Sequence, residues 1–152
     1  MSYELRIERL FDATPEEVFD AFVDADAQEE LHGSGQSDWK VHRCETDVRV
    51  GGTSVYVMGP EGGEADTETR TYSVVDRPHR LVFLHRMDIA EWGRSIETEM
   101  TMTFEDQDGK TLLTMVQTGF ETEEDRDSFM GGWPTYVDTL QRVIKTRHDT
   151  EP

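Results

Sequence analysis

With 152 residues, 33 acidic against 15 basic side chains and a formal charge of −18, the chain is long enough for one continuous core and too acidic to hold nucleic acid or an anionic membrane by charge. The lysines are only Lys40, Lys110 and Lys145, a balance resembling that of halophilic proteins, in which high ionic strength screens self-repulsion. Cys44 is the single cysteine, so no intramolecular disulfide can form; with no apolar run of signal-peptide or membrane-spanning length, a soluble cytoplasmic protein is expected.

From Tyr3, apolar and charged residues alternate (Leu5, Ile7 and Phe11 against Glu4, Arg6 and Glu8), the period of a half-buried strand. Thr14, Pro15 and Glu17 then stand at the N-cap, N1 and N3 positions of a capping box, and Val18, Phe19 and Phe22 supply the apolar stripe of a helix. Asp24 to Leu31 continues as a second short helix, ended by Gly33-Ser34-Gly35. Strands are predicted over Trp39–Val50 and Thr53–Met58, joined by Gly51-Gly52, and over Thr67–Val75 and Arg80–Met87, joined by the turn Asp76-Arg77-Pro78-His79. Ile96–Phe104 puts Ile96, Met100, Met102 and Phe104 on one face. It returns through Asp108-Gly109 into Thr111–Thr118, with Leu113 and Met115 on one side.

The last helix is predicted over Thr122–Thr146. Phe129, Trp133, Tyr136, Val137, Leu140, Val143 and Ile144 form its buried stripe; Asp125, Ser128, Thr135, Asp138, Arg142 and Lys145 are expected to meet water. Thr122 can cap it, and Gly131, Gly132 and Pro134 predict a kink, because proline has no N–H to give to the preceding turn. The expected order is strand, two helices, six strands and one long helix. A curved antiparallel sheet of six to seven strands can bury its apolar face only by wrapping around that last helix. If the kinked half lifts away, a cavity opens beneath it.

Asp47-Val48-Arg49-Val50-Gly51-Gly52, Tyr72 through Phe83, Gly109-Lys110-Thr111, Gln117-Thr118-Gly119-Phe120 and Gly132-Trp133 together resemble one family. It comprises the bacterial and archaeal homologues of the activator of the ninety-kilodalton heat-shock protein ATPase (AHSA-like), within the START-like (SRPBCC), helix-grip superfamily. The resemblance implies an α+β helix-grip fold, a single domain over residues 1–148 with an acidic tail at 149–152, and a family role in chaperone stimulation or small-ligand binding. The chain departs from the family pattern at Leu31-His32-Gly33-Ser34-Gly35, where paired tryptophans and Gly-Pro are usual.

The expected function is non-catalytic binding of a small apolar or aromatic molecule between sheet and last helix, by a monomer or homodimer. The alternatives are a chaperone-cofactor-like protein-interaction domain and a cyclase- or hydrolase-like enzyme. The expected lining is Leu31, Trp39, Tyr56, Met58, Phe83, His85, Met100, Met102, Met115, Gln117, Phe129, Trp133 and Tyr136, with Met87 and Met130 as further adaptable thioethers. His85 is expected near a strand end, half solvated; turned inward it could orient a ligand or act as a general base. Gln117 is expected to bond to backbone, or to offer its amide to a ligand. His42 and Cys44 fall two apart on one strand face, a weak basis for a nucleophile, so Cys44 reads as a small hydrophobe. No motif calls for a cofactor or a metal: the His79–Glu91 stretch lacks ligand spacing, and the acid runs at Glu61–Asp66 and Glu121–Asp127 lack a calcium-loop pattern.

Overall fold

The computed structural model describes residues 2–28 and 39–150, without the side chains of 39 and 148–150. The elements are β1 (Tyr3–Phe11), α1 (Pro15–Val23), a helical turn α2 (25–28), β2 (Trp39–Thr46), β3 (Thr53–Pro60), β4 (Asp66–Asp76), β5 (Arg80–Ile89), β6 (Arg94–Gln107), β7 (Lys110–Phe120) and α3 (Glu123–Thr150). Among the described residues, seven strands join one antiparallel sheet in the order β1-β7-β6-β5-β4-β3-β2, so that β2, next in sequence after β1, lies at the opposite edge.

The local signals explain the elements. Thr14 Oγ1 accepts from the Glu17 amide while the Glu17 carboxylate accepts from the Thr14 amide, which closes the capping box that starts α1. Asp24 ends α1 and caps α2, its carboxylate accepting from the Ala27 amide at 3.0 Å. Thr122 caps α3 through the Asp125 amide. On β6, Ile96, Thr98, Met100, Met102 and Phe104 all point inward, as the alternation requires.

β2 ends at Thr46 rather than continuing to Val50. The amide of Arg49 donates to the Asp47 carbonyl and that of Gly52 to the Arg49 carbonyl, so the chain is already turning, and Val50 is exposed. At Gly52 a Cβ would lie 2.3 Å from the Asp47 carbonyl oxygen, which is why the turn needs glycine there. A bulge between Val41 and Arg43 also breaks the alternation, so exposed His42 and half-buried Cys44 do not share a face. The Cys44 thiol instead points to the Ala25 carbonyl.

α3 lies on the concave side. Trp133, Val137, Leu140 and Ile144 join the core cluster with Leu5, Ile7, Phe11, Phe83, Met100, Met102, Leu113 and Met115, and Phe19 and Phe22 of α1 close the same core. Arg9 binds Asp138 and Gln141, Arg126 reaches the Glu4 carbonyl, and Arg147 pairs with Asp24, fixing the helix along its length. The helix runs unbroken through Pro134 and continues to Thr150, past the predicted end at Thr146. Asp125 corrects its expected exposure: it is 4% exposed and takes a bidentate ion pair from Arg94 at 2.6 and 3.0 Å. It stands one turn before Phe129, on the buried stripe.

Candidate functional site

The concave face of the sheet is largely apolar but carries one transverse polar row, with Glu68 beside it. In the strand register Ser54 of β3 pairs with Arg70 of β4, Arg70 with His85 of β5, and His85 with Thr98 of β6. Paired residues on neighbouring strands hold their Cβ atoms about 5 Å apart, so these four side chains stand shoulder to shoulder. All four are buried: Arg70 and Ser54 at 0%, His85 at 2%, Thr98 at 3%. Gln117 of β7 extends the row, donating to Thr98 Oγ1 at 2.7 Å and accepting from Trp133 Nε1 of α3 at 2.8 Å. Its amide is therefore spent on side chains and not on backbone.

Arg70 is the centre. Its Nε donates to Glu68 at 2.5 Å, its Nη2 to the Tyr136 hydroxyl at 3.3 Å, and its guanidinium lies 4.7 Å from the Phe22 ring centroid, 4.9 Å from Tyr56 and 5.3 Å from Phe83. Such an aromatic surround favours a cation that has lost its water. Burial works against the Arg70 charge, yet the Glu68 carboxylate and the three tyrosine oxygens of Tyr136, Tyr56 and Tyr72 hold its pKa well above the ordinary range. Burial pushes Tyr136 up to about 12, opposed by Arg70, and raises Tyr56 as well, so both phenols stay protonated at neutral pH. Tyr136 donates to Gln28 of α2, and the Tyr72 and Ser54 hydroxyls share a hydrogen bond of 2.6 Å.

His85 overturns its expected half-solvated place. β5 runs on to Ile89, so His85 stands inside the strand, with the Phe129 ring 5.9 Å and the Trp133 ring 6.1 Å away. Its Nε2 lies 3.5 Å from Glu68 Oε2, inside ion-pair range, but neither ring nitrogen makes a hydrogen bond among the described residues; the same holds for Arg70 Nη1. Buried polar atoms without partners are rare in folded proteins and need a reason.

Of the expected lining, Tyr56, Met58, Phe83, His85, Met100, Met102, Met115, Gln117, Trp133 and Tyr136 do face the space between sheet and helices, with Phe129 packed at its margin. Leu31 lies outside the described residues, as does the side chain of Trp39. Met130 is 40% exposed, on the outer side of α3. Where the sequence suggests an open cavity, Phe129, Trp133 and Tyr136 pack against His85, Phe22 and one another. Clefts lined by described residues open elsewhere. One of about 510 Å³ lies beside the carboxyl-terminal half of α3, among Phe11, Thr14, Gly109, Gln141 and Ile144, and one of about 390 Å³ lies around the paired Arg94 and Asp125. Their polar groups are solvated or paired, whereas the unpartnered ones sit in the row. Sequence reasoning missed Glu68, Arg70, Ser54, Tyr72, Thr98 and Gln28. The one available signal was the alternation Glu68, Arg70, Tyr72, which marks a strand face without saying that it is the inner one.

Among the described residues, no cluster of three His, Cys, Asp or Glu side chains is placed to hold a metal ion, and no helix is long and apolar enough to cross a membrane.

A curved seven-stranded antiparallel sheet gripping a long terminal helix, with two short helical elements after the first strand, defines a START-like, helix-grip domain. The chain belongs to the family described as Activator of Hsp90 ATPase homolog 1-like protein, whose model matches residues 12–145. Solved structures agree on the fold. The Mll3558 protein from Rhizobium loti superposes with a TM-score of 0.79 at 22% identity, over 93% of this chain and 96% of that one. An AHSA1-like protein from Aeromonas hydrophila gives 0.76 at 23% identity, over 96% and 94%, and protein Ms6760 from Mycobacterium smegmatis 0.74 at 21%, over 92% and 89%. No curated protein matches the sequence significantly.

Proposed function

We propose that this domain binds a small molecule with an apolar or aromatic body between the sheet and the amino-terminal half of α3, without transforming it. The observation that carries this reading is the set of buried polar atoms without partners among the described residues, Arg70 Nη1 and both nitrogens of His85, in a wall made largely of rings and thioethers. A few convergent polar groups in an apolar surround are what orient a small guest.

Entry requires the α3 side of the core to yield, and α3 is weakest there. Pro134 cannot donate to the Met130 carbonyl, and Gly131 and Gly132 each cost roughly 1 kcal/mol against alanine in a helix. A Cβ at either glycine meets nothing within 4 Å, so packing does not demand glycine at these positions. Gly131→Ala/Gly132→Ala should therefore stiffen the helix and slow ligand entry while raising the melting temperature. A thermal-shift screen with aromatic and polyketide-like compounds tests the proposal: a guest at about 100 times its dissociation constant adds about 2.7 kcal/mol. The reading is lost if no compound in such a screen moves the melt.

A second reading, a chaperone-cofactor-like interaction domain, is favoured by the close packing of the expected lining, with Phe83, Met100 and Met102 fully buried. It predicts stimulation of a ninety-kilodalton chaperone ATPase by the purified domain and no response to small molecules. The acidic surface is best read as an adaptation to high salt.

A further inference from the structure

We infer that the guest of this core site carries an acidic oxygen group, a carboxylic acid or an acidic phenol or enol, seated between Arg70 Nη1 and the imidazole of His85. The inference rests on the binding reading above and narrows it to a ligand class.

Three features point to this chemistry. First, the vacant positions are of complementary kinds: Arg70 Nη1 can only donate, while the two nitrogens of a neutral imidazole are one donor and one acceptor. A carboxyl group offers both of the matching functions, a carbonyl oxygen to accept from Arg70 and an O–H to donate to His85; an ester, ether or hydrocarbon cannot supply the second. Second, the two side chains are direct cross-strand partners, so one small planar head can touch both. Third, the surrounding groups fix the charge. Among the described residues, the titratable or charged side chains facing His85 and Arg70 are Glu68 and Tyr72 of the same strand as Arg70, Tyr56 of β3, and Tyr136 of α3; β6 presents Thr98, and β7 presents Gln117.

Glu68 already balances Arg70. A carboxylate entering alone would leave the buried cluster with one uncompensated negative charge, a costly state in a medium of low polarity. The acid therefore enters with its proton. Transfer of that proton from the carboxyl oxygen to the free imidazole nitrogen gives a carboxylate held by two cations, guanidinium and imidazolium, beside one Glu68 carboxylate. No atom is gained or lost and the cluster stays neutral. Above the solution pKa of the acid, binding must then take up about one proton from the medium for each guest bound.

The test uses the intact protein and three probes, 1-naphthoic acid, 4-phenylbutyric acid and decanoic acid, each beside its methyl ester, titrated calorimetrically at pH 7 in two buffers of different ionisation enthalpy. At least one acid should bind roughly ten- to a hundredfold tighter than its ester, the worth of one charge-assisted hydrogen bond. Its apparent enthalpy should change with buffer as uptake of about one proton requires. His85→Gln, which keeps size and polarity but cannot hold the extra proton, should lose the acid preference and the proton uptake while still binding the ester. Esters that bind as well as acids, or an acid that binds without proton uptake, overturn the assignment and leave the binding reading standing. If neither acids nor esters bind, both fall. Arg70→Lys, which keeps the charge near Glu68, guards against misreading an unfolded variant; it should retain a preference for acid weaker than that of the parent.

Discussion

Replacing Arg70 by methionine tests the electrostatic heart of the structure. Arg70 is fully buried, Glu68 is 5% exposed, and their ion pair is 2.5 Å long. Methionine keeps most of the volume but strips the Glu68 carboxylate of its guanidinium in a site that water does not reach. Breaking a buried pair from one side costs about 3–5 kcal/mol. At about 2–4 °C per kcal/mol for a chain of this size, the melting temperature should fall by about 6–20 °C. Replacing both members by apolar residues is close to neutral in such settings, so Arg70→Met with Glu68→Leu should recover most of that loss. Urea unfolding gives the free-energy cost and thermal melts followed by circular dichroism give the shift in melting temperature. The reasoning is refuted if Arg70→Met melts within about 2 °C of the parent, or if the double variant is no better than the single one.

Trp133→Phe removes the indole donor that Gln117 accepts from, and should cost about 1–3 kcal/mol in a urea titration; Trp133→Phe with Gln117→Leu should cost less than the sum of its parts. The Arg94 hydrogen bonds hold the Asp125 carboxyl below its ordinary value of 3.8, with burial opposing them. A lowered folded pKa adds stability that is complete above the unfolded value and is lost as pH falls through the folded one. Arg94→Met should therefore lower stability at pH 7, and the gap to the parent should close as the pH falls through the carboxylate range; a gap unchanged by acid would count against the pair. Melting from low to molar KCl should rise by several degrees as the charge of −18 is screened, and a flat series would remove the salt-adaptation reading.

How much of this was legible in the chain depended on contrast between faces. Ile96 to Phe104 alternates apolar with charged or hydroxyl residues, so strand and inner face could both be read, and the capping box at Thr14 gave the start of α1 to the residue. β4 offered no such contrast. Thr67, Thr69, Thr71 and Ser73 alternate with Glu68, Arg70 and Tyr72, both faces are polar, and hydropathy cannot tell which one the sheet buries. Arg70 therefore escaped notice, because a buried arginine is chosen by its surroundings, and apart from Glu68 on its own strand these come from β3, β5, α1 and α3. His85 shares a face with Leu81 and Phe83, which pointed it inward, but ending the strand at Met87 rather than Ile89 put it too near the strand end and the solvent. Asp125 obeys the helical period of the buried stripe, but its charge suggested solvent, and only Arg94 on a distant strand explains its burial.

The most direct measurement labels the methionine methyl groups with carbon-13 and follows their resonances as an acid that binds is titrated in. Met100 and Met102 are 0% exposed and Met115 is 1%, all under α3, whereas Met130 is 40% exposed on its outer side and serves as the internal control. A guest seated between sheet and helix should shift the three buried methyls strongly, together with the Trp133 indole proton, and leave Met130 near its starting place. Shifts confined to Met130 or to residues beside the Phe11–Ile144 cleft would put the ligand on the surface and contradict the account.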